Sequence, residues 1–474
     1  MFRKLFNTFM VGMVFPILLW STVAWGGNQE DKVTNYRGWS IPSYVKPEPN
    51  LATLEHYFLK DYNLLKDREI GHYRVKPLGN HTEFQKEIEK NKFLTKQMET
   101  SSILSYLFYE DGKIRYDEIT PKERLGNVFS DSTHNLSNSV GKSFVSYLVG
   151  HAICNGHISD INSRVDDWPL IEKTLYHGQK LIDLLNMNAG DARYVHDVDG
   201  MVETERWPNS HSIKSIAERE LNNSKPIAKT SRKHHYNGLL TNVIINYVAH
   251  KSGYQIQELL EQVFQQKVKT EYQVMMRKQL FERTDNGNMT SKQVLVEHGT
   301  AQYTFYLTRY DYLRLATSML HDWKSNNCVG KYLKQLAANK IPQKRFLEKD
   351  KGYGRFSAKS YAGQFHMDYL GLEDRNIFGM NGYGGQSIMI DFDKSRIIVV
   401  NTVHDNYDYQ KLVLNPMRTG KIQVNEGKAK ANTNMSGWSN KTVCRQLTAK
   451  PDNAEYIAET QQRGLFCGNG AKVL

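Results

Sequence analysis

Cysteine is scarce in this chain: Cys154, Cys328, Cys444 and Cys467 are the only four among 474 residues. None has the Cys-x-x-Cys spacing of a structural zinc site. Basic residues outnumber acidic ones by 62 to 50, for a formal net charge of +12. They are scattered, and no basic run of the nucleic-acid-binding kind occurs. The charge therefore reads as general surface character, compatible with loose association with acidic cell-envelope polymers and not with a nucleic-acid partner. No internal repeat and no low-complexity tract is present. Apolar and charged fractions of 40% and 24% fit a folded globular chain large enough for more than one domain.

Long apolar runs are absent after the first one. Phe9 to Trp20 carries no charge, follows the basic start "MFRK" and precedes the small residues of "STVAWGG". That pattern predicts a secretory signal peptide over residues 1–26. The run is short for a membrane span and contains Pro16, so an uncleaved N-terminal membrane anchor is the alternative. Export predicts a periplasmic or secreted protein in which disulfides are permitted. Cys444 and Cys467 are the expected pair in a polar tail over 431–474, either a stapled cap or an accessory module. Cys154, in an apolar helical stretch, reads as a small buried hydrophobe.

Residues 27–100 are polar and mixed, an N-terminal leader expected to wrap the core. "ILSYLFYEDGKIRYDE" (103–118) alternates around Asp111-Gly112 and predicts a hairpin. Helical patterns follow at 139–153, at 180–191, at 238–253 with Gly253 as the stop, over "IQELLEQVFQQK" and at 310–320. "AEYIAETQQRG" in the tail predicts a last helix. Two late strands, 386–391 and 396–403, are separated by "FDKS". Strands at both ends with helices between predict one α+β unit over 101–430. Its antiparallel sheet joins early and late strands, is flanked by helices and carries an inserted, mostly helical region.

"SNSVGKSF" (137–144) carries two overlapping motifs. Gly141-Lys142-Ser143 ends like a phosphate-binding loop, but that loop needs a glycine five residues earlier, where Leu136 stands. Ser139-Val140-Gly141-Lys142 is instead a Ser-x-x-Lys. On a helix starting near Ser139, Lys142 lies one turn later on the same face. A partly desolvated lysine at a helix start can accept the serine proton, and the positive helix end favours the alkoxide.

Around that motif the chain resembles the serine β-lactamase-like hydrolases, in the branch of class C β-lactamases, esterases and 6-aminohexanoate-dimer hydrolases. The resemblance spans about Ile103 to Val403. It includes the "YEDGKIRYDE" turn, "SVGKSF", "GHISDINSRVDDWPLI", "KLIDLLNMNAGD", "YNGLLTNVIINYVAHKSG" and "GMNGYGGQSIMID". It implies the β-lactamase/transpeptidase-like fold, no cofactor and no metal. It further implies Ser139 as nucleophile, Lys142 as its base partner and Tyr236 as proton shuttle. The oxyanion hole would be the backbone N–H groups of Ser139 and Gln386. The substrate would be a small-molecule ester or amide, met by Gly238, Tyr383, Gly384 and Gly385.

Two positions depart from the family pattern. Gly238 stands where the second motif, Tyr-x-Asn, has asparagine. Tyr383 stands where the third motif has lysine or histidine. The first change removes a side-chain amide and the second a cation. A catalytically silent relative that binds a peptide or envelope polymer is thus the alternative reading. Tyr236 has its own plain reading, one aromatic among 27 tyrosines, which its spacing to the following helix opposes. Tyr383 reads equally as a substrate-facing phenol or a strand aromatic. His234 and His235 lack a third ligand at sensible spacing and read as solvated or wall-forming histidines.

Overall fold

A computed structural model describes residues 33–36, 39–42, 70–125, 129–191, 212–218, 233–283, 289–343, 357–403, 407–422 and 437–449. It also describes tail positions 435, 456, 457, 459, 460, 463 and 465. The expected signal peptide lies outside the described residues. The chain forms two compact units, Met1–Ser43 and Tyr44–Leu474. In the first, β1 (Val33–Tyr36) and β2 (Trp39–Pro42) pair as an antiparallel hairpin.

The second unit is built on two sheets. A four-stranded sheet runs β3 (Ile70–Val75), β8 (Val274–Gln279), β11 (Ala301–Leu307) and β7 (Asn135–Leu136). A nine-stranded sheet runs β12 (Ile341–Pro342), β13 (Ala358–Ala362), β14 (Phe365–Tyr369), β15 (Ile377–Asn381), β16 (Ser387–Asp391), β17 (Arg396–Thr402), β5 (Ile103–Glu110), β6 (Lys113–Ile119) and β4 (Gln85–Lys86). All its pairs are antiparallel except β4 with β6. A short ribbon pairs β9 (Phe281–Arg283) with β10 (Met289–Gln293). The α-helices are α1 (Lys92–Thr100), α2 (Lys122–Leu125), α3 (Val140–Cys154), α4 (Leu181–Leu185), α5 (Ile213–Ile216), α6 (Leu239–Lys251), α7 (Ile256–Leu260), α8 (Arg309–Ser325), α9 (Cys328–Ala338), α10 (Asn415–Thr419) and α11 (Asn440–Ala449).

The large sheet joins the early and late strands, as the sequence predicts. Arg396 pairs with Glu110 and Ile398 with Phe108 where β17 meets β5. Asp111 and Gly112 both take positive φ, 46° and 92°, which closes the β5–β6 hairpin in the primed turn its twist favours. Strand alternation then feeds two cores. Leu107, Ile388, Ile390, Ile397 and Val399 face the inserted helical side. Tyr106, Phe108, Met389, Ile398 and Val400 face α1 and the C-terminal 410–419 segment.

Several helices differ from the periodicity-based expectation. Helix α4 stops at Leu185 because Met187 turns left-handed, with φ 52°. The 256–267 helix changes from α to π after Leu260. Helix α8 runs past its apolar pattern to Ser325, and in that extension one acidic residue is buried and paired. Asp322, with no exposed side-chain surface, takes a hydrogen bond from Tyr147 at 2.5 Å and an ion pair with Lys267 at 2.5 Å. Residues 70–100 contribute β3, β4 and α1 to the same packed unit.

Cys154 is not the lone buried thiol expected from its apolar helix. It is bonded to Cys328, 174 residues away, with Cα atoms 5.8 Å apart. The bond joins the C-terminal end of α3 to the first residue of α9. In the tail, Cys444 is buried with Val443 and Leu465. Cys467 lies outside the described residues, so the expected 444–467 pair remains a reading of the sequence.

Candidate active site

Helix α3 is buried from Val140 through Ala152, which places the Ser-x-x-Lys motif at the heart of the unit. The lead-in is fixed by β7, whose Leu136 pairs with Tyr306 at the edge of the four-stranded sheet. Ser137 then ties the chain to β11. Its N–H donates to Phe305 O at 2.8 Å and its hydroxyl accepts from Phe305 N–H at 2.9 Å. Asn138 takes φ 47°, a conformation asparagine tolerates better than most residues. Its side-chain amide donates to Tyr383 O at 2.9 Å. The left-handed residue before Ser139 is thereby locked to the Tyr383 turn.

Ser139 is the N-cap residue of α3 and is partly exposed. Lys142 is only 2% exposed, and its ammonium donates to Ser139 Oγ at 3.0 Å. Two tyrosine rings flank that ammonium. The Tyr236 centroid is 4.9 Å from Nζ and the Tyr303 centroid 3.9 Å. The residues the sequence singled out 97 positions apart in the chain, Ser139 and Tyr236, thus converge on one lysine.

Tyr236 is held by its neighbours. Asn237 is buried, donates to Asp191 Oδ2 at 3.0 Å and caps the next helix by accepting from Leu240 N–H at 2.9 Å. Asp191 has no exposed side-chain surface; it also accepts from Tyr176 at 3.0 Å and faces His235 Nδ1 at 3.5 Å. On its outer side Tyr236 stacks with His366 at 6.2 Å and meets Tyr361 edge-on at 6.1 Å. His234 lies 4.7 Å from Tyr361. His234 thus forms part of an aromatic wall, and among the described residues no cluster able to hold a metal ion occurs. Burial, and then the neighbouring Tyr236, push the Tyr361 phenol well above its ordinary range.

The third motif is a turn. Tyr383, Gly384 and Gly385 link β15 to β16, with φ 81° and 84° at the two glycines. Both angles lie in the left-handed region that glycine enters without steric cost. Gly382 N–H donates to Gln386 O at 2.8 Å. A Cβ placed on Gly382 would lie 2.8 Å from Ser137 O and 3.3 Å from both Val140 Cγ2 and Gln386 Cβ. Gln386, 4% exposed, is therefore beside the start of α3. Tyr407 secures the turn by donating to Gly385 O at 2.8 Å.

Two residues that motif spacing missed complete the arrangement. Gln364, in the β13–β14 turn, accepts at its backbone carbonyl from Ser143 at 2.6 Å and at its side chain from Thr241 at 2.8 Å. It joins the helix after Lys142 to the helix after Tyr236. Tyr303, in β11, packs against Lys142 and Gly238. Neither carries a local signal: Tyr303 sits in an ordinary alternating strand and Gln364 in a turn.

The architecture defines the class: this is the β-lactamase/transpeptidase-like α+β fold. No protein-family model and no curated protein matches the sequence. Among solved structures, the chain is similar to a Bacillus anthracis protein described as a 6-aminohexanoate-dimer hydrolase. That match has TM-score 0.50 and 13% identity, over 80% of this chain and 97% of the other. A penicillin-binding protein from Bacillus halodurans matches with TM-score 0.46 and 14% identity, over 70% and 99% of the two chains. A class C β-lactamase from Rhodobacter sphaeroides matches with TM-score 0.42 and 13% identity, over 65% and 91%.

Proposed function

We propose that the protein is an exported serine hydrolase that cleaves esters or linear amides through an acyl-Ser139 intermediate. The observation that carries this reading is the buried Lys142 ammonium, 3.0 Å from Ser139 Oγ at the start of α3. Burial favours a lysine that gives up its proton, so Lys142 in its neutral form takes the Ser139 hydroxyl proton as Oγ attacks the carbonyl. The backbone N–H groups of Ser139 and Gln386 receive the developing oxyanion. Tyr236 passes the proton to the leaving alcohol or amine. Water then attacks the acyl-serine with the same groups in reverse order.

Tyr383 sets the substrate preference. It is neutral near pH 7, where a lysine would offer charge to an acidic substrate. Small esters and amides without a carboxylate lose nothing by that exchange. Export is supported by the Cys154–Cys328 bond, since disulfides persist in oxidising compartments. The location is periplasmic or secreted, with an N-terminal membrane anchor as the alternative.

The test is covalent labelling with a fluorophosphonate, the adduct being mapped by mass spectrometry. The expected result is one adduct, on Ser139, abolished in Ser139→Ala. Equal labelling of the variant, or no adduct on the wild type, rejects the enzyme and leaves a cleft that only binds.

A further inference from the structure

Gly238 does not leave a hole. A Cβ at that position would lie 2.9 Å from the Tyr303 hydroxyl and 3.1 Å from Tyr303 Cε1. The backbone of Gly238 is ordinary, φ −85°, so glycine is not required there by conformation. What a side chain there would meet is the neighbouring phenol, which would have to shift. The other end of Tyr303 is equally confined, because a Cβ on Gly141 would fall 2.0 Å from Tyr303 O. One tyrosine is thus seated between a glycine of the first motif and a glycine of the second.

Its strand is anchored to the second-motif helix. Tyr303 N–H donates to Asn242 Oδ1 at 3.1 Å. Asn246 exchanges two hydrogen bonds with Ala301, at 2.8 and 2.9 Å. The ring so fixed lies 3.9 Å from Lys142 Nζ, nearer than the 4.9 Å of Tyr236. A buried ammonium has lost its water shell, and the negative faces of aromatic rings replace part of it.

We propose that Tyr303 is a positioning residue for the Ser139–Lys142 pair: its ring carries and aims the Lys142 side chain, and its hydroxyl fills the space of the absent second-motif side chain. The inference rests on the serine hydrolase reading. It adds that the loss at Gly238 is one half of an exchange whose other half is Tyr303. The groups set against the ammonium include Ser139 at the start of α3, Tyr236 before α6 and Tyr303 in β11.

The experiment measures the rate of Ser139 labelling by a fluorophosphonate across pH. Tyr303→Leu keeps an apolar side chain of moderate size and removes the ring. It is expected to slow labelling on the order of tenfold, the scale of a desolvated cation–π contact. The ring stabilises the protonated amine, so its removal moves the onset of labelling to lower pH by about half a unit or more. Tyr303→Phe, which keeps the ring, restores the wild-type onset.

Gly238→Ala supplies a second arm, because its methyl collides with the Tyr303 hydroxyl. It slows labelling in the wild-type background and adds no further loss to Tyr303→Leu. If Tyr303→Leu does not fold, Gly238→Ala is compared with Gly238→Ala/Tyr303→Phe, where removing the hydroxyl is expected to recover the rate. A labelled wild type with Tyr303→Leu unchanged in rate and pH onset overturns this inference alone. Failure of Gly238→Ala/Tyr303→Phe to recover over Gly238→Ala overturns it as well. An unlabelled wild type removes this inference together with the hydrolase.

Discussion

The Thr241 hydroxyl donates to Gln364 Oε1 at 2.8 Å, across 123 positions of sequence. The same glutamine donates through Nε2 to Leu185 O at 2.8 Å, and its carbonyl accepts from Ser143. One turn residue therefore spaces the two helices that bring Lys142 and Tyr236 together.

Gln364→Leu is expected to cost about 1–3 kcal/mol, because it strands the buried Thr241 hydroxyl, while the Leu185 carbonyl keeps the backbone N–H of residue 364. Because it also frees the spacing of the two helices, kcat should fall more than KM rises. Thermal unfolding and ester kinetics on one preparation check both. An unchanged melting temperature would show that water replaces the amide without loss.

Lys142→Ala and Tyr236→Phe should each lower kcat on the order of a hundredfold or more, the usual scale for a lost proton-transfer group. Folding should survive both, which circular dichroism can verify. Tyr236→Phe turning over ester like the wild type would remove Tyr236 from the proton path.

Short-chain p-nitrophenyl esters should be cleaved readily and nitrocefin poorly. Replacing a cation by the neutral Tyr383 phenol costs a carboxylate-bearing substrate roughly 1 kcal/mol or more. The comparison is kcat/KM for the two substrates. Nitrocefin turnover with negligible ester cleavage would make Tyr383 irrelevant to substrate choice.

Reduction of Cys154–Cys328, or a Cys154→Ser/Cys328→Ser double variant, should destabilise the unit by about 2–5 kcal/mol, since the bond closes a long loop. The bond also ties the far end of the helix that starts at Ser139 to α9. Thermal melts with and without reductant give the measurement. Identical melts would place the loop closure in other contacts.

His151 gives the protein an acid-sensitive stability. Burial in α3 holds its imidazole at about 4, down from 6.5, with Asp322 opposing and Lys267 reinforcing the shift. Between these values the unfolded chain takes the proton and the folded chain does not. The contribution is therefore complete above about pH 6.5 and is lost as the pH falls towards 4. His151→Gln should lose less melting temperature over that window than the wild type. Parallel pH dependences would assign the acid loss to other groups.

The sequence by itself determined what depends on short spacing. A three-residue step on a helix faces Ser139 with Lys142, and Asp111-Gly112 closes a primed turn. Near-continuous apolar runs along 386–391 and 396–403 make strands buried on both faces. These follow from backbone geometry, whose periods are visible within a few residues. Only the tertiary structure decided the rest. Cys328 as the partner of Cys154, Gln364 between two motif helices, and Tyr303 in the space beside Gly238 join positions 61 to 221 residues apart. No local period encodes such a meeting, because each depends on how β11, the β13–β14 turn or α9 packs against α3 and α6. Gly238 shows the difference: in the sequence it is a missing amide, and in the folded chain it is the room a tyrosine needs.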